Sequence, residues 1–395
     1  MNICYISSID ISLPNGPGVN EREFLNILQK EAIHRGDRIT CIIPRPSGRV
    51  DIPLDNVFFY HKQAKNENLT HASLMANGVN MLGSLFAHHS TGTKVLYIVR
   101  LSSETLVVPL ILRLLQKPYY LKTLEDVYGF AAGPTLGLTR INYLIKRILL
   151  GFILPKAIFI DASTRQLVET YKKRFKLENI IHIDNAVNTE RYDIRDREKS
   201  KIKCGLQSFR QIVGYCGGFP SQRGAGQLIG IARRLRQAFP DCGILIVGND
   251  AEMDTLKLKV RRDNLQAFVK FTGIVPYENL VDYINCLHVG IALDTPERVN
   301  HYGNSSQKIR QYLACGIPVI CPHNTNHEIV DYGLARSVSV NDLDSIFDTI
   351  QYLFDRSPQE NRQYRKKARQ YAISKLSTKV AHEKRYRLWK TFLNG

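Results

Sequence analysis

Nowhere in the 395 residues do 18 or more apolar side chains follow one another, which excludes a membrane-spanning helix. No basic stretch precedes an apolar run at the start, so Met1–Ser7 reads as a first strand and not as a secretory leader. None of the eight cysteines pair as Cys-x-x-Cys. Cys4, Cys41, Cys204, Cys216, Cys242, Cys286, Cys315 and Cys321 lie mostly in apolar runs, the pattern of buried thiols in a reducing cytosol. Zinc-finger spacing, an RNP stretch and basic-region heptads are all missing, so nucleic acid is not an expected partner. Gly224-Ala-Gly226 lacks the third glycine of a dinucleotide fingerprint. Asp342-Leu-Asp344 spells an Asp-x-Asp, but its place before Ser-Ile-Phe is explained by helix capping, and no metal is expected.

Acidic residues are also short. The 36 carboxylates face 54 lysines and arginines, a net charge of +18. Much of the excess follows Asn361, where Arg362, Arg365, Lys366, Lys367, Arg369, Lys375, Lys379, Lys384, Arg385, Arg387 and Lys390 are opposed by Glu383. A surface of this sign attracts acidic lipid headgroups or phosphorylated substrates. The hydrophobic content of 44% is that of a folded globular protein, and the length calls for two domains.

Apolar runs between turn residues lay out two β/α series. Strands are expected at Asn2–Ser7, Arg38–Pro44, Val57–Tyr60, Val95–Val99, Tyr119–Thr123, Ala157–Asp161 and Ile180–Ile183. Helices are expected from about Asn20 to His34, after a loop through Gly16 and Gly18, and at Ser73–Phe86 and Glu104–Leu115. The stretch Arg140–Lys156 mixes Lys146, Arg147 and Lys156 with Leu144, Ile145, Ile148 and Phe152. It reads as a basic amphipathic helix that packs on the first sheet, lies in a bilayer interface, or does some of both. A polar, charged connector, Asp193–Lys203, leads into the second series. Its strands are expected at Ile212–Cys216, Gly243–Val247, Val269–Phe271 and Val289–Ala292, with helices at Ala225–Ala238 and Ala251–Val260. An amphipathic helix, about Val380–Leu393, ends the chain.

The most informative run is Asn304–Ile320. Ile309, Tyr312 and Leu313 share one helical face, Ser305 or Ser306 is placed to cap the helix, Gly316 stops it, and Pro318–Cys321 reads as a buried strand. A helix start of this kind offers N–H groups and a positive dipole end to a phosphate, and Lys308 in the first turn adds a cation.

This run resembles the nucleotide-sugar signature of group 1 glycosyltransferases. Other motifs fall in the family's order: Gly16-Pro-Gly-Val19, Arg35-Gly-Asp-Arg-Ile39, Asn185-Ala-Val-Asn-Thr-Glu-Arg-Tyr192, Gly217-Gly218 with Arg223-Gly224, and Phe271-Thr-Gly-Ile-Val275. The resemblance implies an α/β GT-B fold, with two Rossmann-like domains facing across a cleft. It implies an acceptor-binding domain over residues 1–190, a nucleotide-sugar domain over 191–375, and a helix at 376–395 crossing back onto the first. The implied activity is transfer of a sugar from a nucleoside-diphosphate sugar to a lipid-linked or saccharide acceptor, retaining and metal-independent, with no cofactor beyond that donor. The implied setting is cytoplasmic, at an anionic membrane surface. A GT-B binding or regulatory subunit that has lost catalysis is the alternative.

The same resemblance assigns residues. Glu125, Arg223 and Lys308 are implied as catalytic. Gly217, Gly218, Arg223 again, Gly248, Gly273, Ile274, Ser305, Ser306, Gln307 and Gln311 are implied to hold the nucleotide. Gly16, Gly18, Arg100, Asp126 and Asn304 are implied to meet acceptor or sugar. The chain departs from the family at two glutamates, whose places are taken by Gly303 and Gln311, and at a sugar-contacting histidine, replaced by Glu125. Gln311 keeps hydrogen-bonding capacity toward a diol but supplies no charge.

Overall fold

The computed structural model describes residues 1–13, 15–50, 55–62, 71–88, 95–123, 138–218, 225–249, 252–296, 299 and 305–394. The chain divides into two compact units. The first holds Met1–Leu13, Pro17–Asp184 and Ala381–Gly395, and the second chiefly Asn185–Val380. The chain thus changes unit between Asp184 and Asn185 and again between Val380 and Ala381.

The first unit is built on a seven-stranded parallel sheet of order β3-β2-β1-β4-β5-β6-β7. The strands are β1 (Asn2–Ile6), β2 (Arg38–Pro44), β3 (Val57–Tyr60), β4 (Val95–Arg100), β5 (Tyr119–Thr123), β6 (Ile160–Ala162) and β7 (Ile180–His182). Helix α1 (Gly16–Arg35) lies on one face, and α2 (His71–His88), α3 (Val107–Leu114) and α4 (Leu138–Ile153) on the other. Side chains alternate along a strand, so a sheet covered on both faces needs apolar residues at every position. Cys4 and Ile6, with Tyr97, Val99, Tyr119 and Leu121, face the α2–α4 side. Ile3 and Tyr5, with Leu96, Ile98 and Tyr120, face α1.

The α1 face is closed by the last helix of the chain, Thr378–Asn394, whose Tyr386 and Trp389 are buried against Tyr120, Ile3 and Phe24. The crossing helix implied by the resemblance is present, and its apolar stripe is the reason it docks.

The second unit holds a six-stranded parallel sheet of order β10-β9-β8-β11-β12-β13. Its strands are β8 (Gln211–Cys216), β9 (Cys242–Val247), β10 (Val269–Gly273), β11 (Val289–Ile291), β12 (Val319–Pro322) and β13 (Ala335–Val338). Strand order reverses between β8 and β11, the place where open α/β sheets leave a crevice beyond the carboxyl ends of their strands. Helix α5 (Gln307–Ala314) packs directly over this sheet. Its Tyr312 ring occupies the space that a side chain at Gly290 of β11 would need.

Three local expectations are corrected. The connector Asp193–Lys203 is helical over Arg197–Lys203, because the Asp196 carboxylate accepts from the Lys199 N–H at 2.9 Å and caps a helix there. The expected loop at Gly16–Gly18 is already the first turn of α1, where Pro17 has the fixed φ a helix start accepts. The single helix expected at Ala225–Ala238 is two, Ala225–Gly230 and Ala232–Ala238. At Asp342 the capping expectation holds: its carboxylate accepts from the Ser345 N–H at 2.9 Å.

Candidate functional site

Three neighbouring strands of the second sheet end in glycine, and each glycine has a positive φ. Gly217, after β8, and Gly248, after β9, have φ of +131° and +127°. Gly273 closes β10 at +69°. L-residues avoid these conformations. A Cβ at Gly248 would collide with the Gly217 carbonyl oxygen. The Gly217 N–H donates to the Val247 carbonyl at 2.8 Å and the Gly248 N–H to that of Gly273 at 2.9 Å. The outcome is a shelf of bare backbone at the carboxyl edge of β8–β10. Gly218 continues it, and Ile274 beyond β10 is 61% exposed.

Helix α5 brings Lys308 to this shelf. Gly316, at φ +69°, ends the helix with the Ile317 N–H bonded back to the Tyr312 carbonyl. At its start Ser306 occupies the N-cap position, but its side chain makes no capping hydrogen bond. The Lys308 ammonium donates to the Tyr215 hydroxyl at 3.1 Å and lies 4.5 Å from that ring's centroid. The same hydroxyl donates to the Gly218 carbonyl at 2.6 Å. The lysine's Cε would be 3.5 Å from a Cβ at Gly217. Lys308 is therefore fixed beside the glycine shelf by a tyrosine that the sequence reading did not single out. An aromatic at the penultimate position of an apolar strand, just before Gly-Gly, was the available signal.

The other residues expected around the nucleotide are turned toward Asn185–Tyr192. The Asn185 N–H donates to the Ser305 hydroxyl at 3.2 Å, and its side-chain amide to the Ser305 carbonyl at 2.8 Å. Gln307 donates to the Ala186 carbonyl at 2.7 Å. Gln311 is buried and donates to the Tyr192 hydroxyl at 3.0 Å. Arg369 donates to the carbonyls of Thr189 and Tyr192, and to that of Ala314 at 3.1 Å. This segment braces the helix that carries Lys308.

In the opening turn of α1, Gly16 is exposed and Gly18 buried. Arg100, at the end of β4, is 3% exposed and donates to the Glu21 carboxylate at 2.6 Å. Glu21 also accepts from the Tyr5 hydroxyl and sits 3.7 Å from the Lys122 ammonium. Burial pushes Glu21 upward, but Arg100 and Lys122, together with hydrogen bonds from Ser7 and Tyr5, outweigh it and hold the carboxyl down at about 2. Arg100 is thereby neutralised from within. Glu125, Asp126, Arg223 and Asn304 lie outside the described residues.

Two doubly wound parallel sheets with a C-terminal helix returning to the first make this a GT-B fold. Residues 210–356 match the family described as glycosyl transferases group 1, and this segment contains the shelf and α5. No curated relative matches the sequence. Among solved structures, sucrose-phosphate synthase from Thermosynechococcus elongatus superposes with a TM-score of 0.78 at 15% identity, over 100% of both chains. HepE of Anabaena in complex with UDP and glucose gives 0.72 at 15% identity, over 99% of each chain. WaaG, a glycosyltransferase of lipopolysaccharide biosynthesis, gives 0.68 at 13% identity, over 96% of this chain and 98% of that one.

Proposed function

We propose that the protein transfers a sugar from a nucleoside-diphosphate sugar to a lipid-linked or saccharide acceptor, retaining anomeric configuration and needing no metal, in surface-glycan synthesis. Its place is the cytoplasm, peripherally at the inner face of an anionic membrane. One observation carries this reading: Lys308 and the start of α5 meet the backbone shelf of β8–β10 inside the segment that matches the family. Bare glycine backbone lets a pyrophosphate approach closely. The ammonium and the positive helix end then stabilise charge that grows on the leaving oxygen as the sugar departs. Arg223, near Gly218 in sequence, adds a planar fork for phosphate oxygens. Glu125 is assigned to steadying positive charge at the anomeric carbon.

Isothermal titration with UDP and with GDP tests the donor site, UDP first because HepE of Anabaena was solved with it. One of the two is expected to bind with a Kd on the order of 10–100 µM, about 5–7 kcal/mol. Failure of every nucleoside diphosphate at millimolar concentration would remove this function.

Gln311 favours a second reading. It stands where the family places an acid, is 5% exposed, and gives its amide to Tyr192. A subunit that binds the donor without turning it over fits that replacement. Nucleoside diphosphate released from a bound sugar nucleotide in the presence of membrane extract separates the two: release supports transfer, and tight binding without release supports the subunit.

A further inference from the structure

Helix α4 is apolar on more of its circumference than packing on the sheet uses. Leu150 and Ile153 face the core, followed by Leu154 in the next turn, and all three are fully buried. On the outside, Leu144, Ile145, Ile148 and Phe152 are 46%, 51%, 70% and 40% exposed. Helix α3 packs beside α4 and ends in two more exposed leucines, Leu114 at 62% and Leu115 at 52%. The two helices are joined at the surface by the Arg113 guanidinium, which lies 3.4 Å from the centroid of the Phe152 ring. Isolated apolar side chains are ordinary on a protein surface, whereas a contiguous set on two adjoining helices marks an interaction surface.

The charge carried by these two helices has one sign. Neither α3 nor α4 contains an aspartate or glutamate. Lys117, Arg147 and Lys156 are exposed on or just beyond these helices, together with Arg113 at the seam. A bilayer interface with anionic lipid meets both features at once, accepting the leucine, isoleucine and phenylalanine side chains while its headgroups receive the cations.

We propose that the outer face of α3 and α4 is the surface by which the protein lies on an anionic bilayer, with Ile145, Ile148 and Phe152 entering the acyl boundary. This rests on the proposed site of action at a membrane and specifies which face of the first unit touches it. It also gives a role to a region of the molecule that makes no part of the donor site.

Vesicle flotation of the full chain tests the surface. Phosphatidylcholine vesicles containing about a third phosphatidylglycerol are expected to carry the wild-type protein, and pure phosphatidylcholine vesicles to carry at least about fivefold less. Replacing two exposed residues, Ile145→Glu with Ile148→Glu, is expected to cut binding to the anionic vesicles by about tenfold or more. Arg147→Glu with Lys156→Glu is expected to cut it several-fold and to weaken its dependence on salt. Unchanged Trp389 fluorescence in each variant shows that the fold persists.

Equal recovery on neutral vesicles would overturn the choice of anionic lipid. Undiminished binding of the Ile145→Glu, Ile148→Glu protein would overturn the surface itself. So would a wild-type dimer that this pair of substitutions dissociates, since a second copy would then cover the face. Nucleoside diphosphate titration of the same variants keeps this test apart from the donor site. Failed flotation with intact nucleotide binding sinks only the surface, and the reverse result sinks only the donor reading.

Discussion

Replacing Glu21 by glutamine is expected to destabilise the first unit by about 3–5 kcal/mol, the cost of breaking a buried ion pair from one side. Period-two alternation sends Arg100, Lys122 and Asp161 to the same face of the first sheet as Tyr5, beneath α1 and the C-terminal helix. There Arg385 of that helix pairs with Asp161, and Glu21 of α1 answers Arg100 and Lys122. All five charged groups are at most 5% exposed. Glutamine keeps the shape of Glu21 and can still offer its oxygen to Arg100, but the guanidinium is then buried without a counter-charge. The chain's single tryptophan, Trp389, lies in this unit's core, so its fluorescence during urea unfolding reports on this unit. The midpoint is expected to fall by roughly 1–2 M urea. A change below roughly 0.3 M would mean that Glu21 contributes no such pairing.

The opposite result is expected at Lys122. Lys122 is 1% exposed, its ammonium makes no hydrogen bond among the described residues, and it lies 3.9 Å from the centroid of the Phe24 ring. With Lys122 charged, the five groups sum to one net positive charge; without it they balance. Burial lowers the lysine most, Glu21 raises it, and Arg385 and Arg100 lower it further, leaving it at about 7 against the ordinary 10.5. The unfolded chain therefore holds this proton up to about 10.5 and the folded chain releases it near 7. Between those values the unfolded state binds more protons, so stability rises with pH across the window. Below it the buried charge costs on the order of 4–5 kcal/mol. Lys122→Met is expected to raise stability at pH 7 by about 1–3 kcal/mol and to remove this rise between pH 7 and 10. A variant less stable than wild type, with the same pH slope, would refute the assignment. The Glu21→Gln, Lys122→Met double variant should lose less than Glu21→Gln alone, because the two side chains are in contact and their effects do not add.

These buried charges mark the limit of what the sequence discloses. The strands themselves were legible, because apolar runs between glycine, proline and asparagine turns have few other structures open to them. Arg100, Lys122 and Asp161 were not: a polar residue at alternate positions of such a run reads as an exposed end. Its actual cover includes Arg385, 224 positions from Asp161. The helix Arg197–Lys203 was read as a linker because its charged residues show no apolar periodicity. Its cap and its buried Ser200 and Lys201 hold it instead. Around the glycine shelf the glycines were legible for a physical reason, since positive φ at Gly217, Gly248 and Gly273 leaves little choice of residue. The role of Asn185–Tyr192 as a brace for α5 was not, because hydrogen bonds spanning about 120 positions leave no local trace.

Removing the cation at that shelf carries the largest expected effect on activity. Lys308→Met is expected to lower kcat by about 10²–10³-fold, or roughly 3–4 kcal/mol, the usual loss when one preorganised donor to a developing anion is deleted. Lys308 is 6% exposed and bonded to Tyr215, so a structural role has to be separated from a chemical one. Tyr215→Phe provides the separation. It removes the hydroxyl that links Lys308 to the Gly218 carbonyl but leaves the ammonium and the ring beneath it. If Lys308 acts on the leaving diphosphate, Tyr215→Phe should cost about tenfold or less, since the charge remains and only its positioning loosens. Lys308→Met should also erase most of the affinity by which a nucleoside diphosphate exceeds its bare nucleoside. An ammonium that merely props the strand end would weaken both ligands alike and would lower kcat no more than Tyr215→Phe does. A wild-type kcat in a folded Lys308→Met protein would show that the pyrophosphate is neutralised elsewhere, and the arrangement of α5 over the glycine shelf would then be a packing solution without catalytic consequence.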